Sequence, residues 1–365
     1  MNTPESILLV SDFAFPVSAG TERLVFGLAE DLNEKGIKTD ILTPNWKNLI
    51  QKEKVNKTTI YRFNTHSIYK PEPIKRIYGF VKKGMKLEKY DIYHGFYTVP
   101  PNLSAIFLAK LQGKKSITTY FSTQQIENNL NNPVKNFFLL NMLNKADLVT
   151  AYTWRIKKIF EEKYFKGKEI NVTQGWVETG FKKIDAQKKT KEKIILFTGR
   201  LSKQKGAFVL IKAFSEVQKK VNDTKLVFAG MPLEKKEAAE LIKKLGLKKV
   251  EIKGFVSEKE LNELYNSCDV VAVPGFEDYG IGLSLMEATF FEKPIISCYG
   301  LGIKNEALVV EPGNEKELAD KLIRLLSDKK FYEEQSRNAK EISKLFEKKN
   351  VIKNYLKTYE KVMQK

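Results

Sequence analysis

Two short segments hold the residues best suited to chemistry. The first, GRLSKQKG at 199–206, sets Gly199 where the chain can turn and places Arg200 and Lys205 on either side of a polar loop. A guanidinium offers a planar fork of donors, and an ammonium offers a compact charge. A helix starting behind such a loop adds free N–H groups and the positive end of its dipole. Together these would clamp a diphosphate without a metal. The spacing fits a solvated basic loop as well. The second segment, PGFEDYGIGLSLMEATFFEKPII at 274–296, sets Gly275, Gly280 and Gly282 ahead of an apolar helical run. Glycine there would let a ligand approach the backbone closely. Glu287 falls about one and a half turns into that run. A carboxylate there can accept from ribose or sugar hydroxyls. Glu277, Asp278 and Glu287 also read as surface acids.

These segments sit inside a pattern that occurs twice. ILLVSDFAFPVSAGTERLVFGLAEDLNEKGIKTDILT opens the first half, and IILFTGRLSKQKGAFVLIKAFSEVQKKVNDTKLVFAG opens the second. Each runs from a short apolar stretch through a glycine-containing loop into helical spacing, then into another apolar stretch. Leu24, Leu28 and Leu32 mark the first helix; Leu210, Phe214 and Val217 mark the second. Further strands are expected at IYRF, DIYHGF, KSITTY and ADLVTAY, then at KLVFAG, VEIKGF, DVVAVP and KPIISC. Helices are expected at 234–245, 257–266, 282–291 and 315–327, and the basic stretch 339–365 reads as helical. Alternating strands and helices give parallel sheets with right-handed crossovers. The fold class is therefore α/β, with two doubly wound, Rossmann-like parallel-sheet domains facing a central cleft. Lysine-rich sequence near 180 reads as a linker. The expected domains are residues 1–180 and 181–345, with a terminal helix at 346–365 that packs back on the first domain.

Composition narrows the class. The chain has 365 residues, 42% hydrophobic and 29% charged, enough for a sizeable core in each domain. No apolar run reaches the roughly 20 residues that span a bilayer, and the N-terminus does not read as a secretory signal. Cys268 and Cys298 stand outside any CxxC pattern and read as reduced core residues. With only His66 and His94, no metal site is expected. A net charge of +19 implies an anionic partner: a sugar nucleotide, an acidic membrane face or nucleic acid. No nucleic-acid-binding module is recognised, so nucleic acid is not expected.

Taken together, the two glycine-rich segments resemble the retaining glycosyltransferases of family 4, which have the GT-B fold. The resemblance rests on Gly199, Arg200, Leu201, Lys205 and Gly206; on GFVSEKELNELYNSCDVVAVP; and on Glu277, Gly280, Gly282, Glu287, Ala288 and KPII. It covers nearly the whole chain and is strong over 194–298. In the first half, PVSAGTERLVFGL looks like the family's opening glycine loop, with Gly20 nearest the donor and Glu22 after it. GWVETGFKK looks like its interdomain segment.

The resemblance implies an enzyme that moves a sugar from a UDP-, GDP- or ADP-sugar to an acceptor hydroxyl with retention, needing neither metal nor other cofactor. It makes the first domain the acceptor side and the second the donor domain. Arg200 and Lys205 would neutralise the departing diphosphate, Glu287 would bind ribose, and Glu277 would reach the donor sugar. Gly20, Gly199, Gly280 and Gly282 would line the substrate. Domain closure would assemble the site and exclude water. A glycan or lipid-linked acceptor is expected. The stretch 69–90, rich in Lys and Arg with Ile74, Ile77, Tyr78, Phe80 and Val81 interleaved, reads either as a surface for an anionic membrane or as a solvated helix packed inward. The expected location is cytoplasmic, peripheral at the membrane face. Three departures qualify the match. The family histidine that follows the strand SITTY is replaced near Phe121 or Ser122, with His94 on another strand as a substitute. Strict alignment of the acid motif would put Tyr279 in the first acid's place. The loop YGLGIKNEALVVEPGN is short, and Gly300 and Gly302 receive no role. These departures motivate the alternative of a non-catalytic, donor-binding partner subunit.

Overall fold

The computed structural model describes residues 3–16, 20–46, 48–64, 73–127, 133–177, 180–184, 192–276, 282–302 and 308–365. The chain forms two compact units: Met1–Gly175 with Lys349–Lys365, and Trp176–Lys348.

In the first unit the strands are β1 (Ser6–Ser11), β2 (Lys38–Asn45), β3 (Lys52–Val55), β4 (Thr58–Asn64), β5 (Ile92–Phe96), β6 (Lys115–Tyr120), β7 (Leu148–Ala151) and β8 (Ile170–Val172). Their order across the sheet is β3-β4-β2-β1-β5-β6-β7-β8. Every pairing is parallel except the β3–β4 hairpin. The helices are α1 (Gly20–Glu34), α2 (Pro73–Gly84), α3 (Val99–Gln112), α4 (Gln124–Glu127), α5 (Pro133–Leu143) and α6 (Trp154–Ile159). Covered on both faces, the central strands read as apolar runs rather than alternating ones. Ile7, Leu8, Leu9 and Val10 of β1 are all fully buried. The antiparallel β3 is a departure from the expected pattern. Its KEKV is too polar and short to read as a strand, and its turn depends on Asn56 adopting a φ of 51°.

The second unit holds β9 (Lys193–Thr198), β10 (Thr224–Ala229), β11 (Val250–Gly254), β12 (Val270–Val273), β13 (Ile295–Ser297) and β14 (Leu308–Val309). They are all parallel, in the order β11-β10-β9-β12-β13-β14. Its helices are α7 (Ala207–Lys220), α8 (Lys235–Lys244), α9 (Glu258–Ser267), α10 (Leu283–Phe290), α11 (Glu315–Ser327) and α12 (Lys329–Ser343). Leu210, Phe214 and Val217, the periodic residues of α7, enter one core with Phe197, Leu226, Val270 and Ile296. Cys268 and Cys298 are buried and unbridged.

The chain passes between units at Gly175/Trp176 and Lys348/Lys349, earlier and later than expected. Local bonds explain the first crossing. Val177 N–H donates to the Phe346 carbonyl at 3.3 Å, and Trp176 lies under the Lys348 ammonium. The backbone N–H groups of Lys182 and Ile184 donate to Asn262 and Asn266 of α9. Lys182 and Ile184, within the segment read as a linker, are thus already fastened to the second unit. At the far end, the basic stretch is not one helix. A 3-10 turn at Lys344–Phe346 buries Phe346 and separates α12 from α13 (Lys348–Met363). Helix α13 packs in the first unit, where the Tyr359 hydroxyl meets His94 Nδ1 at 3.0 Å.

Candidate active site

In a doubly wound sheet the crevice opens where consecutive connections run to opposite sides. In the second unit β9 leads outward to β10 and β11, and β12 lies on the other flank. The loops leaving β9 and β12 are the two segments read as chemical. Gly206 has φ 79°, and a Cβ there would stand 1.9 Å from the Pro274 carbonyl oxygen. The Phe276 N–H donates to the Gln204 carbonyl at 3.0 Å. A Cβ on Gly230, after β10, would stand 2.1 Å from the Gly199 carbonyl oxygen. Glycine therefore permits three loops to lie backbone to backbone along this edge.

Two helices open onto the edge with glycine at the N-cap and no side-chain cap: α7 behind Gly206 and α10 behind Gly282. Neither has an acid in its first turn. By contrast, α9, α11 and α12 are capped by Ser257, Asn314 and Asp328. Open helix starts leave N–H groups and positive dipole ends for an anion. Arg200 is exposed in the first loop and Lys205 half-buried just before α7.

Glu287 is half-buried on α10, and its Oε2 accepts from the Tyr265 hydroxyl at 2.7 Å. The phenol oxygen also lies 2.9 Å from Thr198 Oγ1, at the end of β9. Ser284 Oγ donates to the Thr198 carbonyl at 2.9 Å. These bonds tie α10 to the strand that delivers Gly199 and Arg200. The structure thus gathers Gly199, Arg200, Lys205, Gly282 and Glu287 around one switch point. Glu277, Tyr279 and Gly280 lie outside the described residues. Gly20 is the first residue of α1, on the carboxyl side of β1. Thr198, Tyr265 and Ser284 were not singled out from the sequence. Tyr265 had a signal, its fixed place after EL in the motif, but no role followed from it.

The carboxyl edge of the first unit is built differently. Asp12, just past β1, is buried, pairs with Arg76 of α2 at 2.9 Å and accepts from the Thr98 hydroxyl. Burial pushes its carboxyl up from the usual range, against the pull of Arg76. Tyr97, past β5, holds φ 75°, a strained conformation for a side-chain-bearing residue. Its ring meets Phe121, which meets Tyr152, with centroids 5.7 and 4.5 Å apart. Phe121 and Ser122 are both buried. His94 is no substitute for the family histidine. It is fully buried, and its ring nitrogens are engaged by Tyr359 and, at 2.7 Å, by Thr119. Burial holds its pKa well below the ordinary value.

Helix α2 divides its residues. Phe80 turns inward against Phe63, whereas Ile74 and Tyr78 are 80% and 63% exposed beside Lys75 and Lys82. Arg76, the arginine of the basic stretch 69–90, faces Asp12. Among the described residues no helix is long and apolar enough to cross a membrane.

Two family models match the chain in tandem. The one described as Glycosyltransferase Family 4 matches residues 18–180, and the one described as Glycosyl transferases group 1 matches residues 180–342. An uncharacterized glycosyltransferase of Methanocaldococcus jannaschii is 27% identical over 371 residues, with 93% of each chain covered. A Campylobacter jejuni alpha-1,4-N-acetyl-D-galactosaminyltransferase, named for a PP-undecaprenol-linked acceptor, is 32% identical over 175 residues. That match covers 46% of this chain and 48% of that protein. Among solved structures, sucrose-phosphate synthase of Thermosynechococcus elongatus shares the fold with a TM-score of 0.78 at 18% identity, covering 99% of both chains.

Proposed function

This chain belongs to glycosyltransferase family 4, with the GT-B fold, and on that premise we propose that it transfers a sugar from a nucleoside-diphosphate donor to an acceptor hydroxyl with retention and without a metal. The observation that carries the reading is the pair of glycine-led, uncapped helices meeting at the β9/β12 switch point. As the glycosidic bond to the donor breaks, negative charge grows on the β-phosphate. Preorganised N–H groups, Arg200 and Lys205 would meet it there, a function that a divalent cation fills in other designs. The leaving phosphate oxygen would take the proton of the attacking hydroxyl, so no protein nucleophile is assigned. Glu287 would accept from the ribose hydroxyls. Glu277 is assigned to the donor sugar by the family motif alone.

The acceptor is proposed to be glycan or lipid-linked. Support comes from the name of the Campylobacter relative and from the outward face of α2, where Ile74 and Tyr78 stand among lysines. Such a face suits an anionic membrane surface, each basic residue contributing about 1 kcal/mol near it. Flotation with phosphatidylglycerol vesicles should recover the protein. A Tyr78→Glu, Ile74→Glu variant should remain in the load fraction, and equal flotation of both would remove the membrane claim.

Incubation with UDP-, GDP- and ADP-sugars tests the central reading through release of nucleoside diphosphate. One donor should be turned over equally with and without EDTA. Lys205→Ala should lower that rate by about 10²–10³. Loss of activity in EDTA that returns with added divalent cation would refute metal independence. An unaffected Lys205→Ala would refute the clamp.

A further inference from the structure

We propose that Tyr265 is a positioning residue that aims the carboxylate of Glu287 at the ribose hydroxyls of the donor nucleotide, an inference that rests on the role given to Glu287 above. The tyrosine is fully buried. Its ring stacks on Phe291 with centroids 5.2 Å apart and planes 6° apart, and meets Phe181 edge-on at 6.0 Å. These contacts leave the ring no freedom to swing, so the hydroxyl is delivered to one point. That point is 2.7 Å from Glu287 Oε2 and 2.9 Å from Thr198 Oγ1.

A phenol has a single proton. Donation to a carboxylate is the stronger bond, so the proton goes to Glu287 and the Thr198 hydroxyl donates to the phenol oxygen in turn. The relay polarises each bond along it. Burial, and then the neighbouring Glu287, raise the phenol's pKa well above its ordinary value, so it stays a donor at every working pH. Fixing Oε2 fixes the plane of the carboxylate. Hydroxyls must then approach its remaining lone pairs from set directions, the geometry that recognition of a rigid vicinal diol requires. A purely structural tyrosine would be satisfied by accepting from Thr198 and donating to the Ser284 carbonyl, 3.2 Å away, and would gain nothing from drawing a carboxylate toward the interior.

Calorimetry with the ribo, 2′-deoxy and 3′-deoxy forms of UDP, GDP and ADP separates the two roles. For the base that binds, removing one hydroxyl should weaken wild-type binding by about 10–100-fold. Glu287→Gln should erase most of that discrimination. Tyr265→Phe, which keeps the stacked ring, should reduce it to about threefold or less while thermal unfolding stays near wild type. Thr198→Val should lower it about twofold to threefold, through loss of the relay. Discrimination retained in Tyr265→Phe but lost in Glu287→Gln would overturn the positioning role. If Tyr265→Phe does not fold, unchanged discrimination in Thr198→Val overturns it instead. Wild-type protein that ignores the ribose hydroxyls, or Glu287→Gln that still reads them, would overturn the role of Glu287 and this inference together.

Discussion

The two sheets share one winding scheme, yet their carboxyl edges are built from different material. At β9/β12 the edge is backbone: glycines at 199, 206, 230 and 282, with two helices left open at their starts. At β1/β5 it is side chain: a buried Asp12 pinned by Arg76 and Thr98, a strained Tyr97, and stacked aromatic rings. A diphosphate would be the same group in every donor, and in the proposed clamp backbone N–H groups meet it with only Arg200 and Lys205 as side chains. Acceptors differ, and side chains are what can be exchanged to follow them. On this view the β9/β12 edge is a fixed cradle and the β1/β5 edge an adjustable one.

The sharpest way to break the contrast is to put a side chain into the cradle. Gly206→Val must adopt a φ of 79° and displace the Pro274 carbonyl, so turnover should fall by about 100-fold or more in the donor-hydrolysis assay. Gly36→Ala is the control. Its φ is 82° but nothing lies within 4 Å, so it should cost about 1 kcal/mol of stability and leave turnover unchanged. Equal losses in both would mean that backbone strain, not close approach, explains the glycine.

At the other edge, Asp12→Asn removes the partner of a half-buried guanidinium. Thermal and urea unfolding should show a loss of about 1–3 kcal/mol, with affinity for the nucleoside diphosphate unchanged. Weaker nucleotide binding would show that the two edges do not divide their work.

The smallest effect concerns His94. Its folded-state pKa lies below 6.5, so the unfolded chain takes up a proton first as the pH falls. The stability linked to this group is complete above pH 6.5 and declines below it, by at most about 1.4 kcal/mol per pH unit. His94→Phe should flatten that limb in urea titrations between pH 7.5 and 5. Asp12 has the opposite sign. With a folded pKa raised above 3.8, its contribution is complete below that value and declines as the pH climbs through the raised one. The two residues can therefore be told apart by pH window.

What the sequence made legible follows the same division. The cradle could be read because it depends on residue types with few other uses: glycines before helices, and cations beside them. Parallel strands were visible as apolar runs. The hidden parts are pairings across long separations. Asp12 and Arg76 meet across 64 residues, and only the rotation of α2 decides that Arg76 faces inward while Lys75 does not. Tyr265 reads as an ordinary core position in α9, because periodicity reports that a residue is buried and says nothing of where its hydroxyl ends. The hairpin strand β3 is invisible in the sequence because a polar edge strand is held by backbone pairing and has no apolar signature.

Helix α13 leaves one more consequence, for biosynthesis. Residues 349–365 complete the first unit, yet they emerge from the ribosome only after the whole of 176–348. Domains ordinarily fold in the order in which they are made. Here the earlier-made half must wait, with the polar seam of His94, Thr119 and Thr150 uncovered. The later-made half can finish first. A chain released after residue 348 should therefore protect the second unit from protease while the first is still cut, the reverse of vectorial order.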